Sequence, residues 1–147
     1  MVSTRLIERI EKNWEGIIRS FLESARKDPR LTTYHRADDY DLRLRAEDTV
    51  RYLGRWIAAD NIHEIAARYE TLGRLRRVEG VPLSELVAKL QLLEDTLLRH
   101  VQWENISQNP LEIYGELELV RAIRAFFRQV VYNVIRGYEQ PARTHAA

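Results

Sequence analysis

The residues in this sequence that could most readily do chemistry are its four histidines, because imidazole is the commonest metal ligand and titrates near neutral pH. They are His35, His63, His100 and His145. A carboxylate-bridged di-metal bundle requires Glu-x-x-His on two helices, and the sequence contains no such match. It also has no cysteine, which excludes disulfides, thiolate metal sites and a cysteine nucleophile. We therefore predict no metal site.

His100 is the histidine whose position best suits a haem ligand, since it lies on a helix. A haem or small-ligand sensor, with a buried cavity near Trp56, Tyr69 and Trp103, is accordingly one alternative function. The simpler interpretation of His100 is a polar residue near a helix C-terminus, where the helix dipole favours a cation. We predict no cofactor.

His63 offers a second alternative, because the segment 63–73 is similar to the histidine phosphotransfer pattern. It has the histidine, an aliphatic residue two positions later, and Leu72-Gly73 at nine and ten positions. However, Ala66 stands where those domains carry a lysine that steadies the phosphoryl group. A histidine phosphotransfer protein using His63 remains an alternative, and an exposed residue beside a helix cap is the simpler interpretation.

Arginine is abundant, with 20 arginines against three lysines. Acidic residues precede several of them by four positions, a spacing that stabilises exposed helices by about 0.2–0.5 kcal/mol per pair. These pairs are Glu15/Arg19, Glu47/Arg51, Glu64/Arg68 and Glu70/Arg74. The net charge is only +1. We therefore predict solvated helix faces and no nucleic-acid partner.

The end of the sequence is rich in aromatic residues that one helix face cannot all bury. The segment 126–138 contains Phe126, Tyr132 and Tyr138, with Ile135 between the two tyrosines. Exposed aromatic residues and arginine are typical of interface cores. We therefore predict a homodimer whose interface candidates are Phe126, Tyr132, Ile135 and Tyr138.

The elements that position these residues are predicted to be helices, because the hydrophobic pattern has helical periodicity almost throughout the sequence. The pattern predicts an all-α bundle of about five helices, with a long C-terminal helix and a connection at 30–41 that has room for one helical turn. Among the inward-facing residues we expect Ile62 and Leu75 in the third helix and Leu117 in the fifth. The five predicted helices span about 6–28, 41–59, 61–80, 81–104 and 109–139. Cap-like residues Asn61 and Asn109 precede the third and fifth.

Composition places the chain among ordinary globular proteins. It has 147 residues, of which 45% are hydrophobic and 31% charged, and no apolar run approaches the ~20 residues that span a bilayer. The first residues include acids where a signal peptide would need an apolar core. We predict one helical domain at 1–140, a loose tail at 141–147, no membrane association and a cytoplasmic location.

Three segments, 52–57, 69–87 and 126–139, resemble the RsbRD N-terminal domain family of bacteria. The central one ends a helix at Gly80 and continues with Pro82-Leu83-Ser84-Glu85-Leu86-Val87. The resemblance implies a globin-like or bundle fold without haem, a dimer, and a sensory role in signalling related to the stressosome and the stress response. It supplies no ligand-binding residues.

The sequence contains no nucleophile elbow, phosphate-binding loop or zinc motif. We therefore expect a non-enzymatic signalling domain that acts through dimerisation and through contact with a signalling protein partner.

Overall fold

The computed structural model describes the backbone of residues 4–59, 62–103 and 110–140, and the side chains of residues 8–56, 62–101 and 114–140. Within those ranges every regular element is a helix, which confirms the all-α bundle. The helices are α1 (Thr4–Lys12), α2 (Trp14–Lys27), α3 (Thr32–His35), α4 (Asp39–Ala59), α5 (Ile62–Val78), α6 (Leu83–Trp103) and α7 (Pro110–Glu139). None of these helices is long and apolar enough to cross a membrane. The caps proposed at Asn61 and Asn109 and the tail at 141–147 lie outside the described residues.

The structure divides the first predicted helix into α1 and α2 at Asn13. The Asn13 side chain donates through Nδ2 to the Arg9 carbonyl at 2.9 Å, and side-chain bonds of this kind compete with the helical ladder. The helix then stops before Pro29, because a proline disfavours helical geometry in the residue before it. Asp28 is accordingly extended, with φ −77° and ψ 115°. The single turn expected in the connection is α3.

The closest helix crossing is between α5 and α7, at two glycines. A Cβ on Gly73 would lie 2.1 Å from the Val134 carbonyl oxygen, and one on Gly137 would lie 2.0 Å from the Glu70 carbonyl oxygen. No side chain fits at either distance, so both positions require glycine. The two glycines let these helices approach backbone to backbone, and this contact fixes the position of α7 in the bundle.

Much of the wide apolar surface of α7 is covered within the chain itself. α7 contacts α1, α4, α5 and α6, and its buried hydrophobic residues among those described are Leu119, Ile123, Phe126, Phe127, Val130 and Val134. Three residues expected to face inward are instead exposed: Ile62 by 41%, Leu75 by 52% and Leu117 by 52%. On α5 the buried positions are taken by Ile65, Tyr69, Gly73 and Arg76, so the inward face is rotated away from Leu75.

A Schellman-type turn joins α5 to α6. The Val81 amide donates to the Arg76 carbonyl and the Gly80 amide to the Arg77 carbonyl, each at 3.0 Å. Gly80 has a φ of +81°, the left-handed conformation that this cap requires and that glycine adopts without a steric penalty. The turn brings the end of α5, with Arg76, beside the beginning of α6, with Glu85 and Lys89.

Candidate functional site

The structure does not bring the predicted histidines together. His63 is exposed in the first turn of α5, and the exposed His35 contacts the Asp28 carbonyl oxygen through Nε2 at 2.8 Å. His100 contacts the Thr96 carbonyl oxygen through Nδ1 at 3.1 Å. His145 lies outside the described residues. Within the described ranges, no group of three or more His, Asp or Glu residues is placed to hold a metal ion.

His100 borders a gap between α1, α2, α6 and α7 that encloses only about 10 Å³. That is room for about one water molecule, so this gap gives no support to His100 as a haem ligand. The residues proposed to line a ligand cavity instead pack against each other. The Trp56 and Tyr69 rings each lie 6.3 Å from the Phe126 ring, measured between centroids. Trp103 has no described side chain.

Phe126 was predicted to be an exposed interface residue, and this prediction is wrong. Its side chain is fully buried in the core, because α4 and α5 pack against α7 and place Trp56 and Tyr69 against it. Tyr138 is half-buried and engaged within the chain, since its hydroxyl donates to the Val81 carbonyl at 2.8 Å. Tyr132 is 60% exposed, and Ile135 is partly exposed. Of the four candidates, Tyr132 and Ile135 are therefore the ones accessible to a partner.

Several of the paired charges on the surface join different helices rather than neighbouring turns of one helix. Arg43 contacts Glu15 of α2 as well as Glu47 of its own helix. Similarly, Arg136 of α7 pairs with Glu70 of α5 at 3.4 Å. The structure therefore uses Glu15, Glu47 and Glu70 in pairs other than those predicted from sequence spacing.

An open groove, hereafter the α6–α7 groove, runs between α6 and α7 and encloses about 490 Å³. Its α6 wall carries the acidic residues Glu94 and Asp95, and its α7 wall carries Arg124 and Arg128. The groove is completed by Gln91, Leu98, Phe127, Val131 and Tyr132. Ile135 follows Val131 and Tyr132 by four and three positions, so it continues the same helical stripe. The surface thus combines an apolar seam with two walls of opposite charge.

A second feature, hereafter the Lys89 cluster, lies at the other side of α6, where α3, α4 and α5 meet it. It consists of Lys89, Tyr34, Arg76, Arg45 and Asp41. The Lys89 side chain is 2% exposed, and its Nζ lies 5.7 Å from the centre of the Tyr34 ring. A lysine is rarely buried to this degree unless it has a partner, so this cluster is the most unusual part of the interior.

The short helix α3 holds Tyr34 over Lys89 because both of its ends are fixed by side chains from longer helices. At the first end, Glu85 of α6 accepts from the Thr33 amide at 3.0 Å and from the Thr32 hydroxyl. At the other end, Arg26 of α2 donates to the carbonyls of Tyr34 and His35 at 3.0 and 2.8 Å. These bonds satisfy backbone groups that a one-turn helix leaves unpaired.

The electrostatics of the Lys89 cluster follow from its burial. The pKa of Lys89 is lowered to about 7, chiefly by loss of hydration and in smaller part by the nearby charges of Arg76 and Arg45, while Asp41 acts in the opposite direction. Burial likewise raises the pKa of Tyr34 to about 12, so its hydroxyl keeps its proton. At Glu85 burial acts to raise the pKa, but the hydrogen bonds from Thr32 and Thr33 outweigh it, and the pKa is lowered.

Comparison of the chain with family models, curated proteins and solved structures found no match. The resemblance to the RsbRD N-terminal domain family therefore remains a prediction that rests on the residues given above.

Sequence reasoning missed the Lys89 cluster, although the sequence holds a signal for it. Lys89 follows Leu86 by three positions and precedes Leu93 by four, so it lies within the apolar stripe of α6. A lysine at such a position is either buried or marks the edge of the stripe. The periodic pattern alone does not distinguish these cases, because the covering residue, Tyr34, comes from the irregular connection.

Proposed function

We propose that this chain is a non-enzymatic helical regulatory domain that acts as a homodimer, with the α6–α7 groove of one copy packed against the same groove of a second copy. The observation that carries the proposal is the pairing of an acidic wall with a basic wall along one apolar groove. A signal would then pass by contact with a further protein, in line with the sensory role implied by the sequence resemblance.

The charges of the groove complement those of a second copy in one orientation. A two-fold axis parallel to the groove places the α6 wall of one copy over the α7 wall of the other. Glu94 and Asp95 then face the second copy's Arg124 and Arg128, and the reverse contact is equivalent, as an isologous interface requires. A two-fold axis across the groove would instead oppose like charges, so the charge pattern selects a single arrangement.

The raised pKa of Glu94 favours an interface that brings further cations close to its carboxylate. Burial raises its pKa, and the charge of Asp95 raises it further, while Arg124 and Arg128 only partly offset these effects. A second pair of guanidinium groups would stabilise the ionised form. The exposed ring of Tyr132 and the partly exposed Val131 and Ile135 would contribute apolar area to the same interface.

The sharpest test uses two charge-reversed variants, Arg124→Glu/Arg128→Glu and Glu94→Arg/Asp95→Arg. The first has two acidic walls and the second two basic walls, so each should self-associate at least about tenfold more weakly than the wild type. Mixed in equal amounts, they should form a heterodimer. Sedimentation equilibrium measures the three dissociation constants.

Arg51→Glu is the matched control, because Arg51 is exposed on α4, away from the groove, and its reversal should leave dimerisation unchanged. A wild-type protein that stays monomeric at high micromolar concentration contradicts the proposal. So does a dimer that both reversed variants form as well as the wild type, since its interface would lie elsewhere.

A further inference from the structure

The interior around Lys89 contains hydrogen-bond donors that have no acceptor. The Tyr34 hydroxyl and the Nε of Arg76 are both buried without a hydrogen-bond partner among the described residues. The Nη1 of Arg76, by contrast, donates to both carboxylate oxygens of Glu79 at 3.0 Å. Unsatisfied buried donors are rare and each calls for a physical explanation, such as a bound group.

The charged groups that act on Lys89 are Arg76 from α5 and Arg45 and Asp41 from α4. Each arginine has a carboxylate partner, since Arg45 lies 2.9 Å from Asp41 and Arg76 lies 3.0 Å from Glu79. Glu85, one turn earlier on α6, is held by Thr32 and Thr33. Glu79 lies on the outer side of Arg76, with its side chain 46% exposed. A protonated lysine would add a third cation beside these two ion pairs, whereas a carboxylate on its nitrogen would supply an acceptor for the Nε of Arg76, which Glu79 leaves without a hydrogen bond.

We propose that Lys89 is a carbamate-forming lysine, which reversibly binds carbon dioxide at its buried amine. The neutral Nζ attacks the carbon of CO2, an N–C bond forms, and the electron pair of one C=O bond moves onto oxygen. The nitrogen then releases one proton to solvent, leaving an N-carboxylate of charge −1. Nothing is oxidised or reduced, and the reverse reaction returns CO2 and the amine.

The surroundings of Lys89 fit both the reaction and its product. Because the amine is desolvated and lies near two guanidinium groups, a large share of it is unprotonated at neutral pH. The carboxylate would supply acceptors of the kind that the Tyr34 hydroxyl and Arg76 Nε lack. Carbon dioxide is small and uncharged, so it can enter a packed interior from which bicarbonate and larger electrophiles are excluded.

The chain makes the test unusually clear, since its three lysines are Lys12, Lys27 and Lys89 and the first two are exposed. Carbon-13 NMR in buffer equilibrated with labelled CO2 should show a carbamate resonance that is absent from Lys89→Met and retained in Lys12→Arg/Lys27→Arg, in addition to any resonance of the α-amino group, which also forms carbamates near neutral pH. At about pH 7.5, Lys89 should have a free-amine fraction several hundredfold above that of an ordinary lysine. Its carbamate should therefore appear at a pH where those of Lys12 and Lys27 are negligible.

A second measurement keeps the proposal testable if Lys89→Met folds poorly. The carbamate is trapped in the wild-type protein by alkylation with a trialkyloxonium salt, and the modified lysine is located by peptide mass spectrometry. Modification at Lys89 is the expected result. Modification confined to other amines, or none at all, overturns the proposal and leaves water as the acceptor for the buried donors. The result does not depend on whether the α6–α7 groove mediates dimerisation.

Discussion

Replacing Lys89 by methionine should stabilise the protein in CO2-free buffer, and the gain should depend on pH. Methionine keeps the apolar stem of lysine but removes the charge. In the folded protein the pKa of Lys89 is about 7, against an ordinary value of 10.5. One pKa unit corresponds to about 1.4 kcal/mol. Burying Lys89 therefore costs on the order of 4 kcal/mol near pH 7.

The variant should gain less than this, because it also loses the contact of Nζ with the Tyr34 ring. A desolvated cation–π contact contributes about 1–2 kcal/mol, which leaves an expected gain of about 2–3 kcal/mol near pH 7. Between pH 7 and 10.5 the unfolded chain binds more protons at this position than the folded protein does. The stability of the wild type therefore rises with pH across that interval, and the advantage of Lys89→Met shrinks. Below pH 7 both states are protonated, and the advantage is at its largest.

Urea unfolding followed by circular dichroism at several pH values between 6 and about 10 measures this difference directly. The matched control is Lys27→Met, since Lys27 is exposed at the end of α2 and its replacement should change the free energy of unfolding by less than about 0.5 kcal/mol at any pH. A Lys89→Met variant whose advantage does not narrow with rising pH would refute the argument that desolvation of a charged amine is the cause.

Two further predictions concern the helix crossing and the position of α3. Gly73→Ala should destabilise the protein by about 3 kcal/mol or more, because the new Cβ would meet the Val134 carbonyl of α7. Thermal or urea unfolding measures this loss. The control is Gly54→Ala, which should be neutral or stabilising, because a Cβ on Gly54 would have nothing within 4 Å. Glu85→Gln should cost about 1–2 kcal/mol at pH 7. Because the pKa of Glu85 is lowered in the folded protein, its contribution is present above the unfolded value and lost on acidification, so the two proteins should converge in acid unfolding curves.

Sequence periodicity predicted α4 to α7 well, because each has a sustained apolar stripe and a proline, glycine or polar cap near its ends. It did not predict the break at Asn13, because the apolar stripe continues through that position. The side-chain hydrogen bond to the Arg9 carbonyl does not alter the hydrophobic pattern. Periodicity also failed to place Phe126. A stripe wider than one face indicates several neighbours, but whether they belong to the same chain or to a second copy depends on the tertiary arrangement.

The candidate sites also differ in how far they could be predicted from sequence. The exposure of Tyr132 and Ile135 could be predicted because it follows from the position of each residue on α7 relative to the apolar stripe of that helix. The Lys89 cluster could not be predicted, because its members come from four helices and are brought together by the cap at Gly80 and by the two side chains that hold α3. Gly73 and Gly137 carry no hydrophobic signal at all, although the distance between α5 and α7 depends on them.

The helix α6 connects the two proposals physically, since it carries Lys89 on the side toward α3, α4 and α5, and Glu94 and Asp95 on the side toward the groove. Carboxylation of Lys89 changes the charge held against Arg76 and Arg45, and one response open to the protein is a shift of α6 relative to the helices that carry these arginines. Any such movement also displaces the acidic wall, about one and a half turns further along the same helix. If both proposals hold, linkage requires the effect to be reciprocal. Because each dimer has two Lys89 sites, the factor by which saturating CO2 changes the dimer dissociation constant must equal the square of the factor by which dimerisation changes the affinity of each site for CO2.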